Sequence, residues 1–319
     1  MKDKEQDLYT IAFYNLENLF DTVDGEHTLD DDFTPEGFKK WTPKRYAKKL
    51  SRLATVISKI GYDTIKKPPV LIGIAEVENE KVVKELIETE PLKDIGYDYV
   101  HYDSPDERGI DTGLLFLKDK FEVLYSEAIP LLINSLKGVR DTTRDILYVK
   151  GKLNGELVHI FVNHWPSRRD GSKETDYKRI EAAQTVRKYM STIEEEEIDP
   201  NYIIMGDFND NPTSDSIQTL VEDSTLYNPM EKLHSPNHRG STSYRKNWSL
   251  FDQIIISHNF FNYKKNTHSF SDADIFDDTF LTEYKGKFKG SPYRTFAGKK
   301  YIGGYSDHFP VYIQLKFNS

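Results

Sequence analysis

Near the end of the chain stands the stretch GGYSDHFPV, residues 303–311. It places Ser306, Asp307 and His308 behind a glycine-rich turn and directly before an apolar, strand-like run from Phe309 to Phe317. Groups that must be held rigidly are often found at such a loop-to-strand junction, because the strand fixes the backbone while the loop leaves room for a ligand. The stretch therefore predicts a functional aspartate and histidine at the start of a strand.

Other strand-like runs of this chain carry polar side chains in the same way, at their tips or in their middles. They are Ile11–Asn18, Val70–Asn79, Ile160–Arg168, Tyr202–Asp210 and Leu250–Ile256. Each run is apolar enough to be buried, and an unpaired buried carboxylate costs several kcal/mol of stability. The polar groups must therefore meet cations, metals or hydrogen-bond donors. Convergence of these runs on one place would build a metal-dependent catalytic centre.

Taken in order, these motifs resemble those of the endonuclease/exonuclease/phosphatase superfamily. That group includes DNase I-like nucleases, abasic-site endonucleases, inositol polyphosphate 5-phosphatases and neutral sphingomyelinases. The resemblance runs from about Tyr9 to Leu315, and its residues are Asn15, Glu17, Glu76, His164, Gly206-Asp207-Phe208-Asn209, Asp252 and Ser306-Asp307-His308. One motif alone is weakly specific, whereas all of them in this order form a specific signal. The resemblance implies a four-layer α/β sandwich of two packed mixed sheets flanked by helices, with the site where the sheets open at one edge.

Composition limits the classes of protein that fit. With 319 residues, 37% of them hydrophobic and 13% aromatic, the chain is long enough for a substantial core. Strand signals occur from end to end without a linker, so we expect one domain over residues 1–319. The net charge of -9 argues against a general polyanion-binding surface, although it leaves room for a local basic patch. The absence of cysteine excludes disulfides, thiolate catalysis and thiolate metal sites.

Targeting and assembly signals are missing from the sequence. No apolar run is long enough to cross a membrane, and the charged segment Met1–Asp7 lacks the hydrophobic stretch of a signal peptide. We expect this segment to be disordered. Heptads and repeats are not found, so a monomer is expected. The compartment stays open, since a cytoplasmic protein and a secreted protein that has lost its signal both fit.

Local signals divide the chain into helices and strands. Thr42-Pro43 supplies an N-cap and a first-turn proline for a helix that ends at Gly61. Asn154-Gly155 predicts a two-residue hairpin, and the longest helix is expected over Ser172–Glu196. Residues His258–Tyr305 are aromatic-rich and poorly periodic, which predicts an ordered, flap-like insertion near the site. The other expected elements are a helix at Glu80–Glu88 and strands at Leu8–Phe20, Val70–Val77, Tyr97–Tyr102, Gly113–Leu117, Phe121–Leu131, Ile146–Leu153, Glu156–Val162, Tyr202–Phe208, Gln253–Ser257 and Phe309–Phe317.

The resemblance implies a metal site built from hard oxygen donors. Glu76 is the expected principal ligand, helped by Asn15, Glu17 and Asp307. Mg²⁺ prefers such ligands in an octahedral shell, and Mn²⁺ is a possible substitute. Many relatives have an aspartate in place of Glu17, so this residue is also compatible with contact through water. The alternative for Glu76 is a carboxylate that only caps the end of a strand.

The same resemblance favours catalytic roles for a second set of residues. Asp207 is expected to activate or orient the attacking water, and Asn209 to hold the water or the phosphoryl group. Aspartate and asparagine are also common in strand-to-loop turns, which is the structural alternative. His308 is expected to contact a phosphoryl oxygen, with Asp252 orienting its imidazole. His164 is a second candidate donor, and the acid that assists the leaving group stays open.

Two arginines are candidate phosphate contacts. Arg108 lies in the string Arg108–Gly113 and Arg168 ends the string Asn163–Arg168, and a planar guanidinium suits phosphate. Loop arginines are more often simply solvated. Asp111 is a candidate partner for His164. His164 resembles the DNase I-like, sphingomyelinase and 5-phosphatase branches, whereas abasic-site endonucleases carry asparagine at this motif. The second string as a whole resembles bacterial nuclease-like members most closely.

These residues predict a metal-dependent phosphoesterase that hydrolyses a phosphodiester bond by in-line attack of water. Nucleic acid is the favoured substrate. A phosphatase or a lipid phosphodiesterase of the same superfamily is the alternative within the enzyme class. A catalytically silent binding module is the alternative outside it, and the presence of every motif residue argues against that reading. The substrate depends on loop shapes, above all over Lys264–Gly304, which the sequence leaves open.

Overall fold

Two six-stranded sheets form the centre of the computed structural model, which describes residues 7–25, 28–135, 138, 140–169, 171–222 and 225–319. In chain order the strands are β1 (Leu8–Leu19), β2 (Leu71–Val77), β3 (Tyr97–His101), β4 (Asp111–Leu117), β5 (Phe121–Ile129), β6 (Ile133–Asn134), β7 (Arg140–Asp141), β8 (Ile146–Leu153), β9 (Glu156–His164), β10 (Tyr202–Asp207), β11 (Leu226–Tyr227), β12 (Thr242–Tyr244), β13 (Asn247–Ser249), β14 (Asp252–Ser257), β15 (His268–Ile275), β16 (Phe296–Ala297), β17 (Lys300–Tyr301) and β18 (Val311–Phe317). The helices are α1 (Pro43–Ile57), α2 (Tyr62–Ile65), α3 (Glu80–Ile87), α4 (Asp176–Glu194) and α5 (Asp215–Val221). Short 3₁₀ turns lie at Asp31–Phe33, Pro229–Leu233, His258–Phe261, Thr279–Leu281 and Gly286–Phe288.

The two sheets share one arrangement of strands. The first has the order β15-β18-β1-β2-β4-β3 and the second the order β11-β14-β10-β9-β8-β5. In each sheet the central pair is parallel, β1 with β2 and β9 with β10, and the strands on both sides of that pair are antiparallel to it. In each sheet, the two parallel strands therefore end at the same edge. The antiparallel strands beside them begin at that edge.

The core separates into layers that can be read along β10. Ile203 and Met205 join the cluster between the two sheets, while Tyr202 and Ile204 pack with α4 on the other side of the same strand. This alternation is the two-residue period of a strand that is buried on both faces. Helices α1 and α3 lie against the first sheet and complete four layers. The predicted four-layer α/β sandwich of two mixed sheets is confirmed.

The sheets approach each other closely at Gly73. A Cβ added to this residue of β2 would lie 2.4 Å from the Sδ atom of Met205 in β10. Real Cβ atoms do not come so close to another atom, so any larger residue at this position would force the Met205 side chain to move.

Local capping signals agree with the structure. The Thr42 side chain accepts a hydrogen bond from the backbone N–H of Arg45 at the start of α1. The Asn79 side chain accepts one from Val82 N at 3.0 Å, so this asparagine caps α3. Asn154 and Gly155 both have left-handed φ values, 47° and 91°, as a tight hairpin between β8 and β9 requires.

The prediction of a flap over His258–Tyr305 is wrong for part of this segment. Residues His268–Ile275 form β15, an edge strand of the first sheet that pairs antiparallel with β18. The alternation is weak because Ser271 and Asp272 are exposed at the edge and the register shifts between Phe270 and Asp272. Charged residues of this kind protect an edge strand from pairing with another chain.

Two expectations concern the terminus and membrane spans. We expect Met1–Asp7 to be disordered, and residues 1–6 of this segment lie outside the described residues. Within the described part of the chain, no helix is both long and apolar enough to span a membrane.

A buried ion pair fixes the loop that follows β10. Arg179 in α4 is fully buried, and its Nε donates to Asp210 Oδ2 at 2.7 Å. Ser216 Oγ of α5 donates to the same oxygen at 2.6 Å, and Arg168 donates to the other. The carboxylate thus joins two helices and a loop, and its charge is balanced by guanidinium groups.

Removing one partner of this pair should destabilise the protein strongly. We expect Arg179→Leu to lower the free energy of unfolding by about 3 kcal/mol, because the buried Asp210 carboxylate loses its fully buried partner and keeps only the partly exposed Arg168. Urea denaturation measures the change. The control is Asp63→Asn, which removes an ion pair with Lys66 whose side chains are 61% and 87% exposed and should cost about 0–1 kcal/mol. Equal losses in both variants would contradict the prediction.

Candidate active site

The polar residues singled out in the sequence meet at one edge of the two sheets. Asn15 and Glu76 lie near the carboxyl ends of β1 and β2, and His164 and Asp207 end β9 and β10. Asp207 pairs in register with His164 on one side and with Asp252, the first residue of β14, on the other. The topology therefore brings together residues from distant parts of the chain, because parallel central strands end at the same side.

The Asp207 carboxylate is the centre of the cluster and is only 2% exposed. Asn15 Nδ2 donates to its Oδ2 at 3.0 Å, and Asn209 N donates to its Oδ1 at 2.9 Å. His164 Nε2 and His308 Nε2 lie 3.8 Å and 3.9 Å from Oδ2. These two distances exceed hydrogen-bond range, so both imidazoles keep the ability to contact a third group there.

Burial changes the protonation of Asp207. Loss of hydration raises the pKa of its carboxyl group to about 7, and the His308 imidazolium opposes that rise. Asp252 raises the pKa further, whereas the hydrogen bonds from Asn209 and Asn15 lower it. A carboxyl group with a pKa near neutrality is suited to accept and release a proton at physiological pH.

His308 is held by the fully buried Asp252. Its Nδ1 lies 2.6 Å from Asp252 Oδ2, which places the proton of this nitrogen on the carboxylate side. Burial alone would lower the pKa of His308, but the Asp252 carboxylate, and beyond it Asp207 and Asp307, raise the pKa well above its ordinary value. The imidazole is therefore a cation whose Nε2 points toward Asp207.

A short chain of hydrogen bonds joins the terminal motif to the first sheet. The backbone N–H of His308 donates to Ser306 Oγ at 3.1 Å, and Ser306 Oγ donates to the carbonyl oxygen of Asn15 at 2.7 Å. The serine of the Ser-Asp-His motif thus has a structural contact that fastens the loop before β18 to β1.

His164 is buried and neutral. Burial, followed by the charges of Arg144 and Arg108, lowers its pKa well below the ordinary value. Its Nδ1 has no hydrogen-bond partner among the residues that the structure describes. The expectation that Asp111 pairs with His164 is wrong, because Asp111 Oδ2 lies 3.2 Å from His101 Nε2 instead.

Glu76 has one engaged oxygen and one oxygen that faces the cluster. Its Oε2 accepts a hydrogen bond from Asn18 N at 2.8 Å, while Oε1 lies 3.9 Å from His164 Nε2. Asp307 lies on the other side of the cluster, with Oδ1 4.0 Å from His308 Nε2. The structure thus brings two of the three predicted carboxylate ligands to the edge occupied by Asp207.

Glu17 points toward a different set of partners. Its Oε2 accepts a hydrogen bond from Thr295 N at 2.6 Å and lies 3.8 Å from Lys49 Nζ. Burial, followed by the charge of Asp307, raises the pKa of Glu17 to about 7, and Lys49 opposes the rise. Lys49 also donates to Tyr305 O at 2.6 Å. These contacts fasten the segment before the terminal motif to β1, and the role of Glu17 as a metal ligand stays a prediction.

The donor set fits a hard divalent cation. Burial lowers the pKa of Lys49, and three carboxylates that share its neighbourhood oppose this shift, in the order Glu17, Asp307 and Glu76. Within the described residues, no hydrogen bond occupies the side-chain oxygens of Asp307 or the Oε1 atom of Glu76. Crowded carboxylate oxygens without thiolate ligands suit Mg²⁺, Mn²⁺ or Ca²⁺ better than softer metals.

Four residues of the site have left-handed backbone conformations. The φ values are 52° for Glu17, 52° for Asn18, 63° for Glu76 and 51° for Asn209. The pairing of β1 with β2 and of β2 with β4 shifts register at the same places. Such conformations cost a residue with a Cβ atom roughly 1–2 kcal/mol, and they gather at functional sites. The bulges redirect the side chains out of the sheet plane toward the cluster.

The arginines fall into two groups. Arg168 Nε donates to Asn209 O at 2.6 Å, so this predicted substrate contact is occupied in holding the loop after Asp207. Arg108 Nη2 donates to the side-chain Oδ1 of Asn18 at 2.6 Å, beside the amide that binds Glu76.

Arg144 is a residue of the site that the sequence analysis missed. It is 7% exposed, and its Nη2 donates to Trp165 O at 2.8 Å. It also lowers the pKa of His164. Arg144 stands two residues before β8, and this strand begins at the same edge because it is antiparallel to β9. A polar residue at the tip of an apolar strand was the available signal.

Comparison with known proteins gives one family match. The sequence model of the endonuclease/exonuclease/phosphatase family matches residues 10–317, a span that includes every motif residue from Asn15 to His308. A search of curated proteins gave no match.

Solved structures share the fold at low sequence identity. An endonuclease/exonuclease/phosphatase family protein from Bacteroides thetaiotaomicron is 18% identical with a TM-score of 0.59, covering 98% of this chain and 95% of that one. A mannosyl-6-phosphatase from the same species is 19% identical with a TM-score of 0.59, covering 97% of this chain and 100% of that one. D. rerio TDP2 complexed with a single-strand DNA product is 15% identical with a TM-score of 0.57, covering 98% of this chain and 100% of that one. At these identities the likeness shows the fold.

The left-handed backbone at Glu76 predicts an unusual order of stabilities. We expect Glu76→Gly to be more stable than Glu76→Ala by about 0.5–1 kcal/mol, because both variants lose the side chain but only glycine adopts a positive φ without strain. Urea denaturation midpoints measure the difference. At Ala75, the preceding residue of the same strand, Ala75→Gly should instead destabilise the protein. An alanine variant at position 76 that matches or exceeds the glycine variant would disprove the backbone argument.

Proposed function

We propose that this chain, which belongs to the endonuclease/exonuclease/phosphatase family of phosphoester hydrolases, cleaves a phosphodiester bond by in-line attack of water with the help of a divalent metal. The observation that carries the proposal is the meeting of Asn15, Glu76, Asp207 and His308 at one edge of the two sheets. A buried carboxyl group, an imidazolium and less engaged carboxylates are together there. This combination supplies a base, a charge stabiliser and metal ligands.

Asp207 is assigned the role of the general base that accepts a proton from the attacking water. Its raised pKa and its burial suit a general base, and such a base contributes roughly 10²–10⁴-fold to the rate. Asn15 and the amide of Asn209 each hold one carboxylate oxygen, so the direction in which the carboxylate presents its lone pairs is fixed before substrate binds. Asn209 is also assigned a contact with the water or the phosphoryl group through the rearrangement of its side chain, whose Nδ2 donates to Trp165 O at 2.9 Å.

His308 is assigned the role of stabilising the negative charge that develops on the phosphoryl oxygens. The Asp252 carboxylate holds its Nδ1, so the positive charge and the Nε2 proton face the cluster. His164 is a second donor on the other side of Asp207, and Arg144 and Arg108 add positive potential beside it. A substrate oxygen between the two imidazoles would therefore meet the positive charge of His308 on one side and an N–H donor of the neutral His164 on the other.

The metal is assigned to the carboxylates that each keep at least one oxygen that accepts no hydrogen bond within the described residues. Glu76 and Asp307 are the residues that would hold it, with Asn15 and Glu17 as the further predicted ligands. When bound, a Mg²⁺ or Mn²⁺ ion supplies Lewis-acid stabilisation of phosphoryl charge. The side chains of this chain place and orient the reacting groups around it.

Nucleic acid is the favoured substrate and a phosphomonoester the second candidate. The Asn163–Arg168 string resembles nuclease-like members, and D. rerio TDP2 has been solved with a single-strand DNA product. The similar mannosyl-6-phosphatase supports the alternative of a phosphatase. A lipid phosphodiesterase has no specific support from the described site. A silent binding module is disfavoured because the base, the histidines and the carboxylates are all present.

Substitution of the base or of the imidazolium should abolish most of the activity. We expect Asp207→Asn and His308→Ala each to lower turnover of a phosphodiester reporter in Mg²⁺ by about 10²–10⁴-fold. A phosphomonoester reporter and plasmid DNA, assayed in parallel, decide between diesterase, monoesterase and nuclease. The exposed Asp63→Asn serves as the matched charge control and should retain wild-type rates. Full activity in either site variant would refute these assignments.

Metal binding should depend on the two carboxylates with uncommitted oxygens. Isothermal titration calorimetry of Mg²⁺ and Mn²⁺ is expected to show at least about tenfold weaker binding for Glu76→Gln and Asp307→Asn, because each loses a charged ligand. Excess EDTA should abolish turnover, and added Mn²⁺ should restore it.

The Glu17→Gln variant separates two roles in the same titration. A direct ligand gives a loss of metal affinity like that of Glu76→Gln, whereas an anchor of Thr295 lowers the free energy of unfolding and leaves metal affinity near wild type. Unchanged affinity in all three variants would place the metal elsewhere.

A further inference from the structure

A second cavity, of about 550 Å³, lies between the β12–β13 hairpin and the segment 283–302. Its lining combines positive charge with apolar surface; the main contributors are Arg245, Lys246, Lys287, Phe288, Arg294 and Ile302. Cavities of this size hold small ligands or single units of larger ones. The residues assigned above to catalysis and metal binding do not line it.

The charge of this cavity is opposite to that of the whole chain. Four cations line it, from Arg245, Lys246, Lys287 and Arg294, against one carboxylate, Glu283, whereas the chain carries a net charge of -9. Among the described residues, none of these four cations forms an ion pair. Their charge is therefore available to an anionic ligand.

Exposed aromatic rings, of which Phe288 belongs to the cavity lining, stand beside basic residues in this part of the chain. Tyr244, Tyr284 and Phe288 are 71%, 68% and 50% exposed. Each ring carries a cation from the adjacent residue, at 5.1 Å for Tyr244, 5.2 Å for Tyr284 and 4.8 Å for Phe288. Exposure of a large aromatic ring to water is unfavourable. The pairing of such rings with lysine and arginine is typical of surfaces that stack nucleobases while binding phosphates.

The walls of the cavity continue into the active site. Thr242, the first residue of β12, donates its Oγ1 proton to Asp307 O at 3.0 Å. Arg294 directly precedes Thr295, whose amide holds Glu17. Ser243 Oγ and Ser291 Oγ, 2.8 Å apart, join the two walls. A ligand chain that occupies the cavity thus leaves it beside the terminal Ser-Asp-His motif.

We infer that this cavity binds a nucleotide next to the scissile phosphodiester of a single-stranded nucleic acid, with the base against Phe288 and the phosphates on Arg245, Lys246, Lys287 and Arg294. The inference rests on the proposed function and deepens it by naming the substrate class. A single strand is favoured over a duplex, because a ring can stack in a cavity of this size only on a base that is not paired.

Binding without turnover is the first test. Fluorescence anisotropy of a labelled single-stranded oligonucleotide in EDTA should show about tenfold or greater loss of affinity for Lys246→Ala/Lys287→Ala, with a shallower salt dependence, because each lost phosphate contact reduces counterion release. Phe288→Ala should weaken binding about tenfold with an unchanged salt slope, since stacking is uncharged. The charge-matched control is Lys152→Ala/Lys316→Ala, two exposed lysines toward the far ends of β8 and β18, which should bind like wild type.

Turnover separates failure of this inference from failure of the proposed function. We expect Lys246→Ala/Lys287→Ala to raise the KM for the oligonucleotide about tenfold while leaving kcat/KM for a small diester reporter unchanged, because the reporter does not reach the cavity. A wild-type protein that does not hydrolyse the reporter would overturn the proposed function itself. Reporter hydrolysis combined with equal oligonucleotide affinity in wild type and variant would overturn the cavity assignment alone. Duplex binding as tight as single-strand binding, with the same loss in the variant, would overturn the preference for a single strand.

Discussion

The active edge depends on one constraint, the burial of the Asp207 carboxylate where the two sheets meet. A carboxylate that is 2% exposed has lost its hydration, so its oxygens need donors from the protein. Neither sheet supplies the donors for both oxygens. Asn15 of the first sheet reaches one oxygen and the amide of Asn209 in the second reaches the other. The hydrogen bond between Asn15 and Asp207 therefore ties the ends of the two parallel pairs together, and it ties the geometry of catalysis to the packing of the sheets.

Buried ion pairs hold the loops around this edge in place. Asp210 is neutralised by Arg179 and Arg168 directly behind the catalytic loop. Glu17 and Lys49 do the same between β1 and the loop before the terminal motif. Such buried pairs contribute little net stability, but they become costly when broken, so they restrict the loops to one arrangement. That restriction supports the left-handed backbone at the site, whose strain would otherwise relax.

The parts of this structure that local signals specify could be predicted from the sequence. The strand ending at Asp207 and the Asn154 hairpin follow from an apolar run and from turn residues. Strand β15 was missed because its pairing with β18, and not its own pattern, makes it a strand. Arg144 was missed as well, since its burial comes from contacts with segments distant in the sequence. The partner of Glu17, Thr295, lies 278 residues away, and no local signal contains it.

Net charge was the least informative property of the sequence for the question of the substrate. A total of -9 argues against nucleic acid only if the charges are spread evenly. Here the basic residues of the segment 284–289, YKGKFK, alternate with glycine and aromatic residues, and the fold places Lys287 in one cavity with Arg245 and Lys246. Acidic residues elsewhere dominate the total, and physiological salt screens charges that lie more than about 8 Å apart. The potential that a substrate meets is therefore set by the local arrangement of charge, so the inferred nucleotide site is compatible with a net charge of -9.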